Sequence, residues 1–391
     1  MPDQLHWLLE ELLHLDAEQL NRRRRCIRAE QDGWCSIDGQ RLRNFASNDY
    51  LNLAHDDRLI EAACQAAKES GVGARASALV CGRTNWHSKL EKELADFEGQ
   101  EAALLFPSGF AANTGTIPTL VNEQDVIFSD RLNHASLIDG CRLSKAQIRI
   151  YRHDRIDELE RQMQDSGSFR RRLIVTDSVF SMDGDLAPLE EIAWLGKKYD
   201  AAILIDEAHG TGVFGRKGRG VAEHLGVESE IDIRIGTLSK SLGSLGGFVT
   251  GSRKLIEWLW NRARSQIFST ALPAAACAAA SRALEIIASE PDRRKRLLEM
   301  SDRFRRELAE VGLATPEKSV GPIVPLILHD PSKAVRAAEE LESRGFLVGA
   351  IRPPTVPVGT SRLRIALSCA HTDEDLRRLL AALVDVFDQD K

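Results

Sequence analysis

The sequence predicts an α/β protein with a large domain on a mostly parallel sheet, helices on both of its faces, a smaller C-terminal α+β domain and an N-terminal arm. Two observations lead there. Short β-branched runs alternate with helix-patterned stretches between residues 102 and 250, an alternation that packs as parallel strands joined by crossover helices. After Leu272-Pro273 the pattern turns to helix and then to short strands, and 391 residues exceed what one simple core holds. The expected division is an arm over 1–47, a large domain over 48–285 and a small domain over 286–391.

The arm opens with Leu5, Leu8, Leu9, Leu12, Leu13 and Leu15 at three-four spacing, which predicts an amphipathic helix running to about Arg28. Within it, Arg22-Arg-Arg-Arg25 is a solvated face or an anion contact. Trp34–Ile37 and Arg41–Phe45 flank Asp38-Gly39, a hairpin signal. A Gly/Ala/Ser-rich loop over 71–82 leads into a helix from His87 to Phe97. Strands follow at Ala102–Phe106, Asp125–Phe128, Leu173–Thr176, Ala201–Ile205 and Ile231–Ile235, with Phe248–Thr250 as a candidate antiparallel return. The tail holds helices at 274–287 and 293–311, strands near 323–328, 346–348 and 362–367, and a last helix over 372–387. Ile351-Arg-Pro-Pro-Thr-Val-Pro-Val-Gly359 reads as a rigid extended loop.

Bulk properties narrow the function. A formal net charge of -6 disfavours nucleic acid and acidic membranes as partners. Seven cysteines without a Cys-x-x-Cys pair fit reduced thiols in a cytoplasm better than a disulfide framework or a zinc site. No stretch reaches the ~20 apolar residues of a membrane span, and the N-terminal leucines are interrupted by His6, Glu10, Glu11 and His14.

In sheets of this kind ligands sit at the carboxyl ends of the strands. The residues just past those ends are His134, Ser181, Asp206 with His209, and Lys240. Lys240 lies among Thr237, Ser239 and Ser241 and before Gly243, Gly246 and Gly247, where a ligand can approach the backbone. A lysine so confined can lose its charge and act as a nucleophilic amine that forms a Schiff base. Pyridoxal phosphate asks for that lysine, a carboxylate for its ring nitrogen, a partner for its phenolic oxygen, an aromatic ring over its face and a phosphate cradle. Lys240, Asp206, His209 or Ser181, His134, and Thr237 with Ser108 and Gly109 supply these in turn. Each residue has a plainer structural use as a cap, a turn hydroxyl or a buried histidine, but four strand ends converging on one cofactor outweigh the separate uses. No Gly-x-Gly-x-x-Gly follows the first strand, which disfavours a dinucleotide site.

The chain resembles the α-oxoamine synthase family of fold-type I pyridoxal-phosphate enzymes. The matching motifs are Asn48-Asp-Tyr-Leu51, Ser108-Gly-Phe-Ala-Ala-Asn113, Asp130-Arg-Leu-Asn-His-Ala-Ser136, Phe180-Ser-Met-Asp-Gly-Asp185, Asp206-Glu-Ala-His-Gly-Thr-Gly212, Thr237-Leu-Ser-Lys240 and Arg362-Leu-Arg-Ile365. The resemblance implies that Lys240 carries the cofactor and removes the substrate's α-proton. It implies that Asp206 holds the ring nitrogen, that His134 stacks on the ring and meets substrate, and that His209 and Ser181 contact the phenolic oxygen. Ser108, Gly109, Phe110 and Thr237 would surround the cofactor, with Thr270 reaching the phosphate of a neighbouring subunit in a homodimer. Arg364, Asn48, Thr355 and one arginine of the N-terminal run, best matched by Arg22, would bind substrate; strand alternation alone leaves Arg362 and Arg364 equivalent. The proline-rich loop is most similar to family members that condense L-alanine with pimeloyl-CoA or pimeloyl-acyl carrier protein, releasing carbon dioxide and thiol. A sister synthase using glycine, an aminotransferase and a non-catalytic partner subunit are the alternatives. One departure from the family pattern, at Gly71-Val-Gly-Ala-Arg-Ala-Ser-Ala78, displaces Arg75 from the family's usual arginine.

Overall fold

The computed structural model describes residues 4–22 and 24–388, so Arg23 of the arginine run lies outside the described residues. Contacts gather the chain into two compact units. One comprises Asp49–Ser181 and Asp185–Leu298; the other takes the residues up to Asn48, Met182–Gly184 and those from Glu299 onward. The arm and the C-terminal segment therefore share a unit, and the expected cut at 285/286 falls inside the continuous helix Ala274–Ser289.

The first unit is built on a seven-stranded sheet. From one edge the order is Ala102–Phe106, Gly247–Gly251, Ile233–Thr237, Ala202–Asp206, Arg172–Asp177, Val126–Asp130 and Gln147–Tyr151. Gly247–Gly251 runs antiparallel to both neighbours, as its place after the lysine turn suggested, and the strands from Ile233–Thr237 to Gln147–Tyr151 are parallel. Parallel strands covered on both faces read as unbroken apolar runs, and Val175, Leu204, Ile235 and Val249 are fully or almost fully buried here. Each such side chain contributes about 1.5–3 kcal/mol of burial. The helices Gly109–Leu120 and Ala135–Leu143 bring Ala112, Ile117 and Leu137 into the same core. Register places Asp177 opposite Asp206, so the carboxyl ends of these strands form one polar rim.

The second unit holds a four-stranded sheet, Ile27–Ala29, Trp34–Ile37, Gln40–Asn44 and Phe346–Leu347, and a three-stranded sheet with Ser361–Ala366 between Ile323–His329 and Gly349–Ile351. Asp38 (φ 51°) and Gly39 (φ 85°) form the hairpin turn, both in the left-handed region that such two-residue loops require. The first helix is shorter than its pattern suggests: it spans Trp7–Ala17 and buries no residue. It stops because Gln19 turns left-handed (φ 57°) and the Leu20 and Asn21 amides fold back on the Leu15 carbonyl at 2.8 and 3.1 Å. The proline-rich loop is a pair of turns rather than an extended run, with Thr355 N–H on the Arg352 carbonyl at 3.1 Å and Thr360 N–H on that of Pro357 at 3.2 Å.

Candidate active site

In the first unit the turn after Ile233–Thr237 delivers Lys240, whose Nζ lies 2.9 Å from His209 Nε2. The other ring nitrogen, His209 Nδ1, is 2.7 Å from the Tyr50 hydroxyl. The Thr237 hydroxyl donates to the Gly246 carbonyl at 2.9 Å and accepts the Ser239 N–H at 3.3 Å, closing the lysine turn on itself. Gly247 must be glycine: a Cβ there would sit 2.4 Å from the Ser108 carbonyl oxygen and 2.6 Å from Gly109 N. The close approach presses the start of the helix Gly109–Leu120 against the end of the lysine strand.

That helix is capped by Ser108 Oγ, which accepts the Ala111 N–H at 3.1 Å. From its second turn Asn113 donates to Asp206 Oδ2 at 2.6 Å and to Ser136 Oγ at 2.9 Å. The Ala208 N–H reaches Asp206 Oδ1 at 2.8 Å. Ser136 Oγ lies 2.7 Å from His134 Nδ1, so one chain of hydrogen bonds links Asp206 to the histidine. The His134 N–H donates to Asp177 Oδ2 at 2.6 Å, while Asn133 bridges Val175 O (2.8 Å) and Asp177 N (3.0 Å), stitching the two strand ends together. Burial, with Lys240 adding to it, pushes the His134 imidazole down against the pull of Asp206. Burial and then the Asp206 charge push the Asp177 carboxyl well above the usual range.

Ser181 stands at the mouth of a loop whose base pairs Phe180 N–H with the Asp185 carbonyl at 3.0 Å. Phe110 is 47% exposed, Thr270 is exposed, and Thr270 makes an antiparallel bridge to Ser77. The displaced Arg75 turns back on the Ser70 carbonyl at 3.1 Å.

The second unit carries Arg22, Asn48, Thr355 and Arg364. Arg22 donates to the Pro353 carbonyl at 3.4 Å, which brings Arg22 beside the loop of Thr355 across 331 residues of sequence. Arg362 is committed to the Met182 carbonyl (3.1 Å) and Asp183 Oδ1 (2.5 Å). Arg364 is buried on the central strand of the same sheet.

Sequence reasoning gave no role to Tyr50, Asn113, Asn133 or Asp177. All but Asp177 lie inside the motifs quoted above, and polar residues at strand and helix ends within such motifs were the available signal.

The donor set fits pyridoxal phosphate. Asp206 is 5% exposed and is held by neutral donors, a buried carboxylate to which a cationic ring nitrogen is complementary. Asn113 Oδ1, buried beside it, finds no partner among the described residues. The chain matches the family of class I and II aminotransferases over residues 41–383. It is 48% identical over 382 residues to an 8-amino-7-oxononanoate synthase of Anaeromyxobacter dehalogenans, covering 98% of this chain and 96% of that protein. Among solved structures it is similar to a serine palmitoyltransferase of S. paucimobilis bound to a PLP–myriocin aldimine, with a TM-score of 0.94, 30% identity and 99% of each chain covered. It is also similar to an 8-amino-7-oxononanoate synthase of Francisella tularensis, with a TM-score of 0.78, 29% identity, and 89% of this chain and 98% of that one covered.

Proposed function

The chain belongs to the class I and II aminotransferase family and is a pyridoxal-phosphate-dependent acyltransferase of the same class as the 8-amino-7-oxononanoate synthases, and from that premise we propose its substrates and the work of its residues. The reaction is the decarboxylating condensation of L-alanine with a pimeloyl thioester, on CoA or acyl carrier protein, to 8-amino-7-oxononanoate, carbon dioxide and free thiol, a step of biotin synthesis. The observation that carries this reading is Lys240 Nζ at 2.9 Å from His209, at the same sheet edge as the buried Asp206.

Bound pyridoxal phosphate supplies an electron sink at the amino acid's α-carbon. Lys240 would hold the resting cofactor, and its Nζ, once displaced by the incoming amino group and free as a neutral amine, would take the α-proton and later return it. His209 orients Nζ and is itself held by Tyr50. Asp206, kept in place by Asn113, holds the proton on the ring nitrogen. His134 covers the ring face and excludes water from the reacting carbon, and Ser181 with His209 meets the phenolic oxygen. Ser108, Gly109, Phe110 and Thr237 line the phosphate end, with Thr270 serving a partner subunit's phosphate. Arg364 and Asn48 bind the amino-acid carboxylate, and Arg22 and Thr355 the acyl substrate.

The enzyme acts as a cytoplasmic homodimer in this reading. Among the described residues no helix is long and apolar enough to cross a membrane, and the exposed Leu9, Leu12 and Leu13 suit a protein partner. A second reading keeps the cofactor residues and changes the substrates: a sister synthase using glycine and another acyl-CoA, or L-serine as the name of the serine palmitoyltransferase neighbour suggests, with its TM-score of 0.94. The test is to supply L-alanine, glycine or L-serine, each with pimeloyl-CoA and separately with acetyl-CoA or a long-chain acyl-CoA, and measure carbon dioxide and amino ketone. Equal yields of both from alanine alone support the first reading, and turnover with glycine or serine alone supports the second.

A further inference from the structure

His153 was assigned no role by sequence and lies outside the constellation just described, yet its ring joins two of the turns that build it. Its Nδ1 lies 3.0 Å from Asp130 Oδ2 and its Nε2 lies 2.6 Å from Asp185 Oδ2. A third carboxylate, Asp154, stands 3.7 Å from Nε2, and the Phe180 ring meets the imidazole edge-on at 4.2 Å. We propose that His153 is a positioning residue which, by bridging Asp130 and Asp185, fixes the two turns that carry His134 and Ser181. The proposal rests on the reading that those two residues meet the cofactor.

Asp130 ends the strand Val126–Asp130 and starts the turn to His134: its Oδ1 accepts the Leu132 N–H at 2.8 Å and its carbonyl accepts the Asn133 N–H at 3.3 Å. Its remaining oxygen is the one that holds His153. On the other side, the chain beyond Arg172–Asp177 pairs Val179 with Leu186, and Phe180 N–H with the Asp185 carbonyl at 3.0 Å. Between Ser181 and Asp185 it leaves the unit, since Met182–Gly184 group with the other one. Asp185 is thus the point of return, and the His153 ring fastens it four residues from Ser181.

The charges require a cation at this place. Asp130 is 3% exposed and Asp185 6%, and two buried carboxylates on one ring repel unless the ring is charged. Donation from both ring nitrogens is available only to the imidazolium. The two carboxylates together outweigh the desolvation that opposes them and raise the His153 pKa to about 10. A divalent cation on His153, Asp154 and Asp185 would need Nε2 as a free ligand, and Asp185 already occupies it.

The test combines protonation with cofactor binding. In ¹⁵N-histidine-labelled apoprotein, the His153 signals are those lost in His153→Gln. At pH 8 both nitrogens are expected to carry protons; a single proton overturns the proposal. His153→Gln is expected to weaken pyridoxal phosphate binding, read by fluorescence titration, at least tenfold, and to lower kcat more than the KM for alanine changes. His153→Arg, which keeps the cation, is expected to recover part of that loss. Binding and kcat within twofold of wild type in His153→Gln overturn it. If His153→Gln does not fold, the wild-type proton count, with the signals assigned from His153→Arg, decides alone. Ser181→Ala and His134→Ala separate the premise: if both bind cofactor like wild type, the underlying site reading fails and takes the proposal with it.

Discussion

Asp177 and Asp206 end adjacent parallel strands in register, and the sheet gives these neighbouring carboxyl groups different tasks. Asp177 accepts the backbone N–H of His134 at 2.6 Å, and burial beside Asp206 raises its pKa well above the usual range. Asp206 is held by Asn113 and the Ala208 N–H, and in the proposed function it faces the cofactor's ring nitrogen. Asparagine can still accept the His134 N–H, so Asp177→Asn should leave kcat within about threefold. Asp206→Asn removes the charge opposite the ring nitrogen and should cost at least about 100-fold. Steady-state assays of both variants check the split.

Arg362 and Arg364 separate in the same way. Removing Arg362 leaves the Met182 carbonyl and Asp183 without their donor, so Arg362→Ala should lower stability by about 1–3 kcal/mol. Arg364→Ala should instead raise the KM for alanine about 10- to 100-fold, the worth of a charge-assisted hydrogen bond. Denaturant melts and alanine saturation curves on both variants distinguish them.

The second unit should weaken in acid. His371 stacks on Phe45 at 3.9 Å, accepts the Ser368 N–H on Nδ1 at 3.1 Å and donates from Nε2 to the Asn44 carbonyl at 3.1 Å, an arrangement of a neutral ring. Burial, with Arg43 adding to it, lowers its pKa to about 3. The unfolded chain takes up the proton near about pH 6.5 while the folded chain refuses it until far lower. The stabilisation is therefore complete above about 6.5 and is lost as pH falls toward 3. Between pH 7 and 4.5, urea midpoints should fall less steeply in His371→Asn than in wild type.

Gly247→Ala should be poorly tolerated. The added Cβ meets the backbone of Ser108 and Gly109 at 2.4 and 2.6 Å, and neither can move without shifting the start of the helix Gly109–Leu120. A loss of about 1–3 kcal/mol and weaker cofactor binding are expected, measured by thermal melts with and without pyridoxal phosphate.

What could be read in the sequence follows from where information is local. Runs such as Ile203–Ile205 are buried on both faces, so their composition alone marks a central strand, and the residue after each marks the rim. Gln147–Tyr151 escaped because it is an edge strand with Gln147 exposed and Ile150 59% exposed, which blurs the pattern. The leucine pattern carries the first helix about eleven residues past its observed end at Ala17, since nothing in the arginine run opposes a helix, while the actual stop is a left-handed Gln19. Lys240, Asp206, His209 and His134 were legible as strand-end residues. Their partners were not, because Asn113 reaches Asp206 across 93 residues and Tyr50 reaches His209 across 159.

Lys240 is the residue proposed to hold the cofactor. The most direct measurement is to add pyridoxal phosphate, reduce with borohydride, and locate the bound pyridoxyl group by peptide mass spectrometry. The account predicts one labelled site, the peptide containing Lys240, lost in Lys240→Ala together with at least about 1000-fold of turnover. A label on any other lysine, or none on an enzyme that still turns over, contradicts it.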